Sequence, residues 1–329
     1  MITRTACLFA RDTDAYRNQA VEKHLMDTLP EDTAILFLWQ DAHAFALGRN
    51  QDAWTQCRVD ALTQDGGQVV RRLSGGASVY RDPGCLNFSF ILPKTQFDIP
   101  RQLSIIGMAA GALGVQAQAA PRGDLCVSGR RFCQNAYFKY GAHALHHGTL
   151  AVNCGFGSMR RYLPDNAVTR DLNLCEVVPG LDLHTLAEAL FHAFGHAYGA
   201  QPVWLDETML DSRSIASLTQ AFAAEAWLFP PRPAPTLAVT ERFPWGNVTV
   251  ELVADSGVIR SAQLFTDAME APLFTAIGQM LVGAPYLISA IAGRFDQRLS
   301  MVTDLRLRQQ AADVCKLICG HIRANDRQG

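Results

Sequence analysis

The amino-acid sequence predicts a two-domain protein of the α/β (α+β) class, with a large N-terminal domain and a small C-terminal one. Its 329 residues are more than one small domain needs. Hydrophobic residues make up 49% of the chain and charged residues 18%, which is enough apolar material for a substantial core. Residues 230–235 read PPRPAP, and so many prolines are typical of a stiff linker. We therefore predict domains over residues 1–229 and 236–329, with a proline-rich linker over 230–235 between them.

Apolar patterning predicts the elements of the large domain. Periodic apolar residues predict a helix over 14–29, with Asp12 or Thr13 as its N-cap. The same pattern predicts further helices at 103–113, 185–198 and 212–227. Short apolar runs predict strands at 33–39, 45–47, 69–70, 87–92, 136–138 and 144–152. Residues 126–127 and 132–133 flank Ser128-Gly129-Arg130, which predicts a tight hairpin with Gly129 available for positive φ.

The small domain shows a strand pattern followed by helices. Val248, Val250 and Leu252 alternate with polar residues, and Asp255-Ser256-Gly257 is a turn sequence. A returning strand is predicted at 259–265. Helices are predicted at 273–281 and 305–322, so this segment forms an α+β domain of fewer than a hundred residues.

Charge and cysteine usage exclude several functional classes. The formal net charge is −2 with no run of like charges, which gives no electrostatic support for binding nucleic acid or a membrane surface. The apolar patch at 6–10 is too short for a secretory signal, and no segment has the length of a transmembrane helix, so we expect a cytoplasmic protein. Nine scattered cysteines argue against a disulfide framework. Cys315 and Cys319 share one face of a predicted helix, where they are expected as buried small apolar residues; no metal site is predicted.

A glycine pair after two arginines is the main candidate for a binding loop. The segment 69–90 reads VVRRLSGGASVYRDPGCLNFSF, in which Gly75 and Gly76 follow Arg71, Arg72 and Ser74. Glycines let backbone N–H groups approach an anion, and a guanidinium suits phosphate or carboxylate. The loop lacks the Gly-Lys-Ser/Thr ending of a Walker A motif. A simple hairpin turn, with Arg72 as a surface residue, is the alternative.

The chain resembles the lipoate–protein ligase A family at this loop. It also resembles the family at further motifs, which occur in the order in which the family has them. The matching residues of the loop are Arg71, Arg72, Ser74, Gly75, Gly76, Val79, Asp82, Gly84, Leu86, Asn87, Phe88 and Ser89. The chain departs from the family pattern at Ala77, Ser78, Arg81 and Cys85. Further matches are Ala20-Val21-Glu22, Gly48-Arg49-Asn50-Gln51, His146 to Leu150, loosely Arg170 to Leu174, Glu241 to Gly246 and Leu264 to Asp267.

The resemblance implies a fold and a reaction. The fold would be a catalytic α/β domain related to biotin ligases, with a mixed or antiparallel sheet, followed by a small accessory domain. ATP would activate lipoate (or octanoate) as an acyl-adenylate, with Mg²⁺ neutralising the pyrophosphate that leaves. A lysine of a lipoyl-carrier domain would then attack; such carriers are the E2 subunits of 2-oxoacid dehydrogenases and the H protein of glycine cleavage.

The resemblance also assigns residues. Arg72 would contact the ATP phosphates. The nucleotide and acyl-adenylate would lie against Gly75, Gly76, Ala77, Ser78, Val79, Tyr80, Asn87, Asp124, His147 and Gly148. Leu73, Val79 and Leu150 would wall the aliphatic tail. For His147, a packed and hydrogen-bonded role is an equal alternative.

One catalytic position differs from the family. The family lysine that touches the lipoyl carbonyl and the α-phosphate falls on Arg131, within a stretch where Asp124, Gly129, Asn135 and Ala136 fit. A second register would place Cys126 there instead. Arginine keeps the positive charge but is planar and bulkier than lysine. Gln134, and likewise Ala77, replaces a glycine of the family.

Two other functions stay open at this point. An octanoyltransferase of the same superfamily would use a cysteine nucleophile; Cys133 is the candidate, with a thiol pKa lowered by Arg131. A degenerate homologue would bind lipoate, its adenylate or a lipoyl domain without efficient catalysis.

Overall fold

A computed structural model describes residues 1–120, 123–164 and 171–326. Contacts within the chain divide it into two compact units. The large unit comprises Met1–Leu47, Ala53–Arg72 and Ser78–Phe229. The small unit comprises Pro230–Gly329 together with the loops Gly48–Asp52 and Leu73–Ala77. The predicted match at Arg170 lies outside the described residues, and the division at 230–235 stays a prediction.

A mixed sheet is the framework of the large unit. Its strands are β1 (Arg4–Phe9), β2 (Thr33–Trp39), β6 (Cys85–Pro93), β7 (Gln118–Ala119), β8 (Leu125–Val127), β9 (Arg130–Tyr140), β10 (His143–Ala151) and β11 (Val203–Trp204), in the order β11-β1-β2-β6-β10-β9-β8-β7. β1 is parallel to β2 and β11, whereas β2, β6, β10 and β9 pair antiparallel. The predicted mixed or antiparallel sheet is therefore confirmed.

The strands around the glycine pair form a separate sheet. It consists of β3 (Ala44–Leu47), β4 (Gln68–Arg71) and β5 (Val79–Arg81), in the order β4-β3-β5. β4 runs parallel to β3, and β5 runs antiparallel to β3 on its other side. The chain therefore crosses the end of β3 between β4 and β5, and the hairpin alternative for this loop is wrong.

Helices of the large unit form largely where the apolar pattern predicts them. They are α1 (Ala15–Asp27), α2 (Ala53–Gln56), α3 (Val59–Gln64), α4 (Ile99–Ala112), α5 (Phe156–Met159), α6 (Leu183–Tyr198), α7 (Ser212–Ala223) and α8 (Glu225–Leu228), with 3₁₀ turns at Lys94–Gln96, Leu174–Glu176 and Glu207–Met209. The N-cap of α1 is Asp14, whose carboxylate accepts from the backbone N–H of Arg17, and not Asp12 or Thr13. The predicted helix 212–227 is interrupted at Ala224, whose extended backbone (φ −63°, ψ 132°) separates α7 from α8.

The main core lies between the sheet and the helices α4 and α6. Phe90 of β6, Ile106 of α4 and Phe194 of α6 belong to one buried apolar cluster. The cluster covers one face of β6, through Leu86, Phe88, Phe90 and Leu92. The opposite face carries Asn87 and Ser89, which are also buried, so the strand is buried along its whole length although apolar and polar residues alternate in it.

Two features near the candidate site differ in how well the sequence predicted them. The hairpin between β8 and β9 is confirmed: Ser128 (φ 50°) and Gly129 (φ 75°) both have positive φ, as a two-residue type I′ turn requires. In contrast, the separate strands predicted at 132–133 and 136–138 are one continuous strand, β9. The polar residues between them, Gln134 and Asn135, hid that continuity.

The small unit contains a three-stranded antiparallel sheet and three helices in its described residues. These are β12 (Leu237–Phe243), β13 (Gly246–Asp255), β14 (Val258–Thr266), α9 (Ala271–Leu281), α10 (Ile288–Leu299) and α11 (Leu305–Asp326). The predicted turn is present, with Ser256 and Gly257 both at positive φ. The sequence prediction missed β12 and α10, because few of their residues are buried: Leu237 and Val239 in β12, Ile291 and Phe295 in α10. In the described part of the chain, no helix has the length and apolar character needed to cross a membrane.

Candidate active site

The glycine loop packs tightly against backbone of the small unit. A Cβ at Gly75 would overlap the carbonyl oxygen of Ala268 and lie 2.6 Å from that of Met269. Gly76 has φ +88°, and its N–H donates to the carbonyl of Ala268 at 3.1 Å. Both glycines are thus required by close backbone packing and by a left-handed conformation. Phosphate binding by Gly75 and Gly76 stays a prediction, as does the role of Ala77.

Arg72 lies in the interior of the large unit. Its side chain is buried, and Nη1 donates to the carbonyl oxygen of Ala46 at 2.9 Å. Burial, together with the positive charge of Arg81, lowers the pKa of Arg72 to about 9, which Glu22 partly opposes. The surface-residue alternative for Arg72 is therefore wrong. Contact with the ATP phosphates stays a prediction.

Arg81, a departure from the family pattern, forms a buried polar network that the sequence did not predict. Its Nη1 donates to Asp41 Oδ2 at 3.3 Å and its Nε to Thr149 Oγ1 at 3.2 Å. The Thr149 hydroxyl donates in turn to Asn87 Oδ1 at 2.7 Å. Asn87, predicted as a binding residue, is thus wholly buried and reached through Thr149. The sequence contained one indication of this network: Arg81 departs from the family pattern between the matching residues Val79 and Asp82.

A second buried network contains His147. Its Nδ1 lies 2.8 Å from Glu22 Oε1, and the hydroxyl of Ser89 donates to the same oxygen. Burial raises the pKa of Glu22, but His147, Ser89 and Arg81 outweigh it, so the pKa is lowered overall. The packed and hydrogen-bonded role considered for His147 is what the structure shows.

The adjacent histidine, His146, faces a different partner. Its Nε2 lies 3.0 Å from Asn135 Oδ1 on the neighbouring strand β9. Burial, assisted by the charge of His147, lowers the pKa of His146 to about 3. His146 is therefore neutral at physiological pH.

Gly148, the next residue of β10, serves the packing of the sheet. A Cβ there would overlap the carbonyl oxygen of Gln134 and lie 2.7 Å from the ring of Phe88. Glycine allows β9 and the phenyl ring to approach β10 closely. Its predicted role in binding stays a prediction.

Arg131 is held by two carboxylates at the start of β9. Its Nε donates to Asp171 Oδ1 at 2.9 Å and its Nη1 to Asp124 Oδ2 at 3.2 Å. Burial lowers the pKa of Arg131, but Asp171 and Asp124 outweigh it, so the pKa is raised. Burial likewise raises the pKa of Asp124, against the attraction of Arg131. The structure brings the predicted residues Arg131 and Asp124 together and adds Asp171, which the sequence did not predict.

Arg131 lines a small cavity in the large unit. The cavity measures about 20 Å³ and is also lined by Val79, Tyr80, Gln134 and Thr149. That is roughly the space of one water molecule. Val79 and Tyr80, predicted for the acyl-adenylate, thus share a cavity with Arg131. Ser78 precedes them at the boundary of the unit, and its role stays a prediction.

The two alignment registers considered for the family lysine converge on one place. Cys126 of β8 lies directly opposite Arg131 in the antiparallel ladder.

Of the residues predicted to line the aliphatic tail, Leu150 is fully buried in the core and Leu73 belongs to the small unit. Their contact with an acyl tail stays a prediction.

Cys133 does not have the properties of a nucleophile. It is fully buried in the apolar core beside Leu125 and Leu150. Burial raises the pKa of its thiol far above the ordinary value. The predicted lowering of this pKa is therefore wrong, because desolvation outweighs the attraction of Arg131.

Comparison with protein families identifies the chain. Residues 14–195 match the model of the lipoyl protein ligase A/B catalytic domain, which is more than half of the chain. The chain belongs to the lipoyl protein ligase A/B family. Residues 232–311 of this lipoyl ligase homologue also match the C-terminus of bacterial lipoate protein ligases. The resemblance inferred from the sequence is thereby confirmed.

Solved structures show the same fold at low sequence identity. LipL1 of P. falciparum in complex with lipoate has 20% identity and a TM-score of 0.84, covering 95% of this chain and 99% of that one. A bipartite lipoate protein ligase and its E2 lipoyl domain from T. acidophilum gives 17% identity and 0.61, covering 71% and 99%. Lipoate-protein ligase A bound with ATP gives 19% and 0.59, covering 69% and 98%. The predicted two-domain fold of the lipoyl ligase homologue is confirmed.

Proposed function

We propose that this chain is an ATP-dependent lipoate–protein ligase. It would activate lipoate or octanoate as an acyl-adenylate and transfer the acyl group to a lysine of a lipoyl-carrier domain. Family membership over residues 14–195 supports the reaction class. The observation that carries the proposal is Arg131, a permanent cation that is fixed by Asp124 and Asp171 and stays partly exposed.

Arg131 suits the position of the family lysine for an electrostatic reason. Its side chain is 33% exposed, so the guanidinium can reach a ligand. The bonds to the aspartates use Nε and Nη1, and among the described residues Nη2 donates no hydrogen bond. Arg131 would therefore donate to the acyl carbonyl and the α-phosphate, where negative charge develops. Preorganised donors of this kind are usually the largest catalytic contribution.

The nucleotide would be held chiefly by arginine and backbone donors. Mg²⁺ would arrive with the ATP phosphates and neutralise the leaving pyrophosphate. The carboxylate oxygens of Asp124 and Asp171 are ligands of the type that Mg²⁺ prefers, but both carboxylates already accept hydrogen bonds from Arg131. We therefore assign them the orientation of Arg131.

The acceptor would be a lipoyl domain of an E2 subunit or the glycine cleavage H protein. The T. acidophilum relative was solved as a lipoylation system with its E2 lipoyl domain, which supports this class of partner. A cytoplasmic location stays a prediction.

ATP–pyrophosphate exchange with lipoate tests the first half-reaction, and a gel shift of a lipoyl domain tests the second. We expect both to be positive. Acyl transfer from an octanoyl carrier without exchange would contradict the ligase and favour a transferase. Saturable lipoate binding with neither reaction would show a non-catalytic homologue.

A further inference from the structure

Three potential metal ligands meet beside the cavity of Arg131. Asp82 follows β5, Cys85 begins β6, and Cys154 follows β10. One ligand atom from each lies within 4.8 Å of the other two. Both cysteines are free and buried, and both line the cavity. The sequence alone gave no signal, because Cys154 is distant along the chain from the other two residues.

The carboxylate of Asp82 is held in place by backbone. Its Oδ1 accepts from the N–H of Gly84 at 2.9 Å and its Oδ2 from that of Gly155 at 2.7 Å. A carboxylate accepts about four hydrogen bonds, so lone pairs remain for a cation. Ligating carboxylates are commonly oriented by such hydrogen bonds.

The two segments that carry the cysteines are themselves in close contact. A Cβ at Gly84 would overlap the carbonyl of Asn153, and Val152 and Asn153 donate their N–H groups to the carbonyl of Gly84. Cys85 also lies opposite Ala151 in the β6–β10 ladder. The ligand atoms are therefore fixed by strand pairing and backbone contacts rather than by a free loop.

The separation between the sulfur of Cys85 and the carboxylate of Asp82 fits a tetrahedral site. The Sγ of Cys85 lies 3.5 Å from Oδ1 of Asp82. A tetrahedral zinc ion with Zn–S of about 2.3 Å and Zn–O of about 2.0 Å separates sulfur and oxygen by roughly 3.5 Å. The Sγ atoms of Cys85 and Cys154 lie within 4.8 Å of each other.

The cavity supplies the fourth ligand position. Its volume of about 20 Å³ adjoins both cysteines and accommodates roughly one water molecule. Two thiolates and a carboxylate exceed the charge of a divalent cation by one. Arg131 lines the same cavity, but its charge is already paired with Asp171 and Asp124, so the zinc site would keep one net negative charge.

We propose that Asp82, Cys85 and Cys154 form a binding site for Zn²⁺, with a water from the cavity as fourth ligand. Binding displaces one proton from each thiol into solvent, and both thiolates then coordinate the metal. The site uses none of the side chains assigned to the ligase reaction, although it adjoins the cavity that Arg131, Val79 and Tyr80 line.

Metal content of the full-length protein tests the site directly. After equilibration with Zn²⁺ and desalting, we expect one zinc per chain by elemental mass spectrometry. Cys85→Ser and Cys154→Ser should each weaken zinc binding roughly tenfold or more in a chelator competition, and Asp82→Asn should weaken it less. The matched control is Cys315→Ser/Cys319→Ser, which removes the other close cysteine pair and should leave binding unchanged.

A measurement on the wild-type protein avoids dependence on how the variants fold. X-ray absorption of the zinc-loaded chain should show two sulfur ligands at about 2.3 Å with oxygen in the remaining positions. The proposal would be overturned if the wild-type chain bound less than half a zinc ion. It would also be overturned if the Cys85 and Cys154 variants retained as much zinc as the wild type, or if four sulfur ligands were found. So would a Cys85–Cys154 disulfide found in peptide mapping without bound metal.

Discussion

Arg81 and Arg131 stand at two positions at which the sequence resemblance predicts a departure from the family pattern, and the structure places them in opposite settings. Arg81 and its partner Asp41 are 3% and 1% exposed. Arg131 is 33% exposed, and its partners Asp171 and Asp124 are 4% and 21% exposed. The same guanidinium group is sealed in one case and open on one side in the other.

The difference separates a structural role from a binding role. A buried ion pair contributes little net stability, but removing one partner leaves an uncompensated charge in the interior. Arg81 is therefore tied to the integrity of the large unit. Arg131 is oriented by its aspartates, yet its side chain stays partly exposed, which is the condition for contact with a ligand.

The largest expected change in stability comes from Asp41→Ala. Because Arg81 would be left buried without its carboxylate, we expect the free energy of unfolding to fall by about 3–5 kcal/mol. Urea denaturation followed by circular dichroism measures it. Arg4→Ala, which removes the exposed pair with Asp32, is the control and should lower the free energy of unfolding far less. If the free energy of unfolding fell equally in the two variants, the buried ion pair of Arg81 would be no more important for stability than the exposed one.

Arg131 should show the opposite balance, with a large effect on activity. We expect Arg131→Ala to reduce ATP–pyrophosphate exchange by about 100- to 1000-fold, as for loss of one charge-stabilising donor. Its loss of stability should be smaller than that of Asp41→Ala. Arg131→Lys should preserve or raise the exchange rate, because the sequence resemblance predicts that the family lysine aligns with position 131.

The neighbouring Arg130 provides the matched control for Arg131. Arg130 lies in the same hairpin and pairs with the exposed Glu176, so Arg130→Ala should leave exchange nearly unchanged. Loss of activity in Arg131→Lys, or equal losses in the alanine variants at 130 and 131, would show that position 131 does not have the proposed role.

His146 extends the comparison to pH. Between its ordinary pKa of 6.5 and the folded value of about 3, the unfolded state binds a proton that the folded state does not. Stability should therefore fall as the pH drops through this range, by the order of 3 kcal/mol between pH 7 and pH 4. His146→Gln should flatten this slope in unfolding measurements, whereas the exposed His192→Gln should not. An unchanged slope in His146→Gln would contradict a neutral buried imidazole.

Thr149 gives the smallest expected effect and connects the two settings. It accepts from Arg81, donates to Asn87, and lines the cavity of Arg131. Thr149→Val keeps the shape but leaves Arg81 Nε and Asn87 Oδ1 without this partner, which should cost about 1–3 kcal/mol. Thr249→Val, at an exposed threonine pair, is the control for urea unfolding and should cost less. Equal costs would mean that the Arg81 network tolerates the loss.

Local features of the fold were accessible to sequence reasoning. The strand predicted at 33–39 is β2, and the hairpin at Ser128-Gly129 has the positive φ values that its residues favour. Such features depend on neighbours within a few residues. Two of the elements that the sequence prediction missed, β12 and α10, bury few side chains and so give a weak local signal. β1 was missed although its residues are mostly buried, because its apolar run was considered only as a targeting segment.

The sequence by itself determined the family, the apolar strands and helices, the tight turns, and a positive charge at residue 131. Only the tertiary structure decided which residues share an environment. Asp41, Arg81 and Thr149 lie far apart in the sequence, as do Asp82 and Cys154, and strand pairing brings each set together. It also decided that Cys133 is an inert core thiol and that Gly75 packs against backbone. Desolvation and close contact depend on the surrounding atoms, which residue type and spacing do not specify.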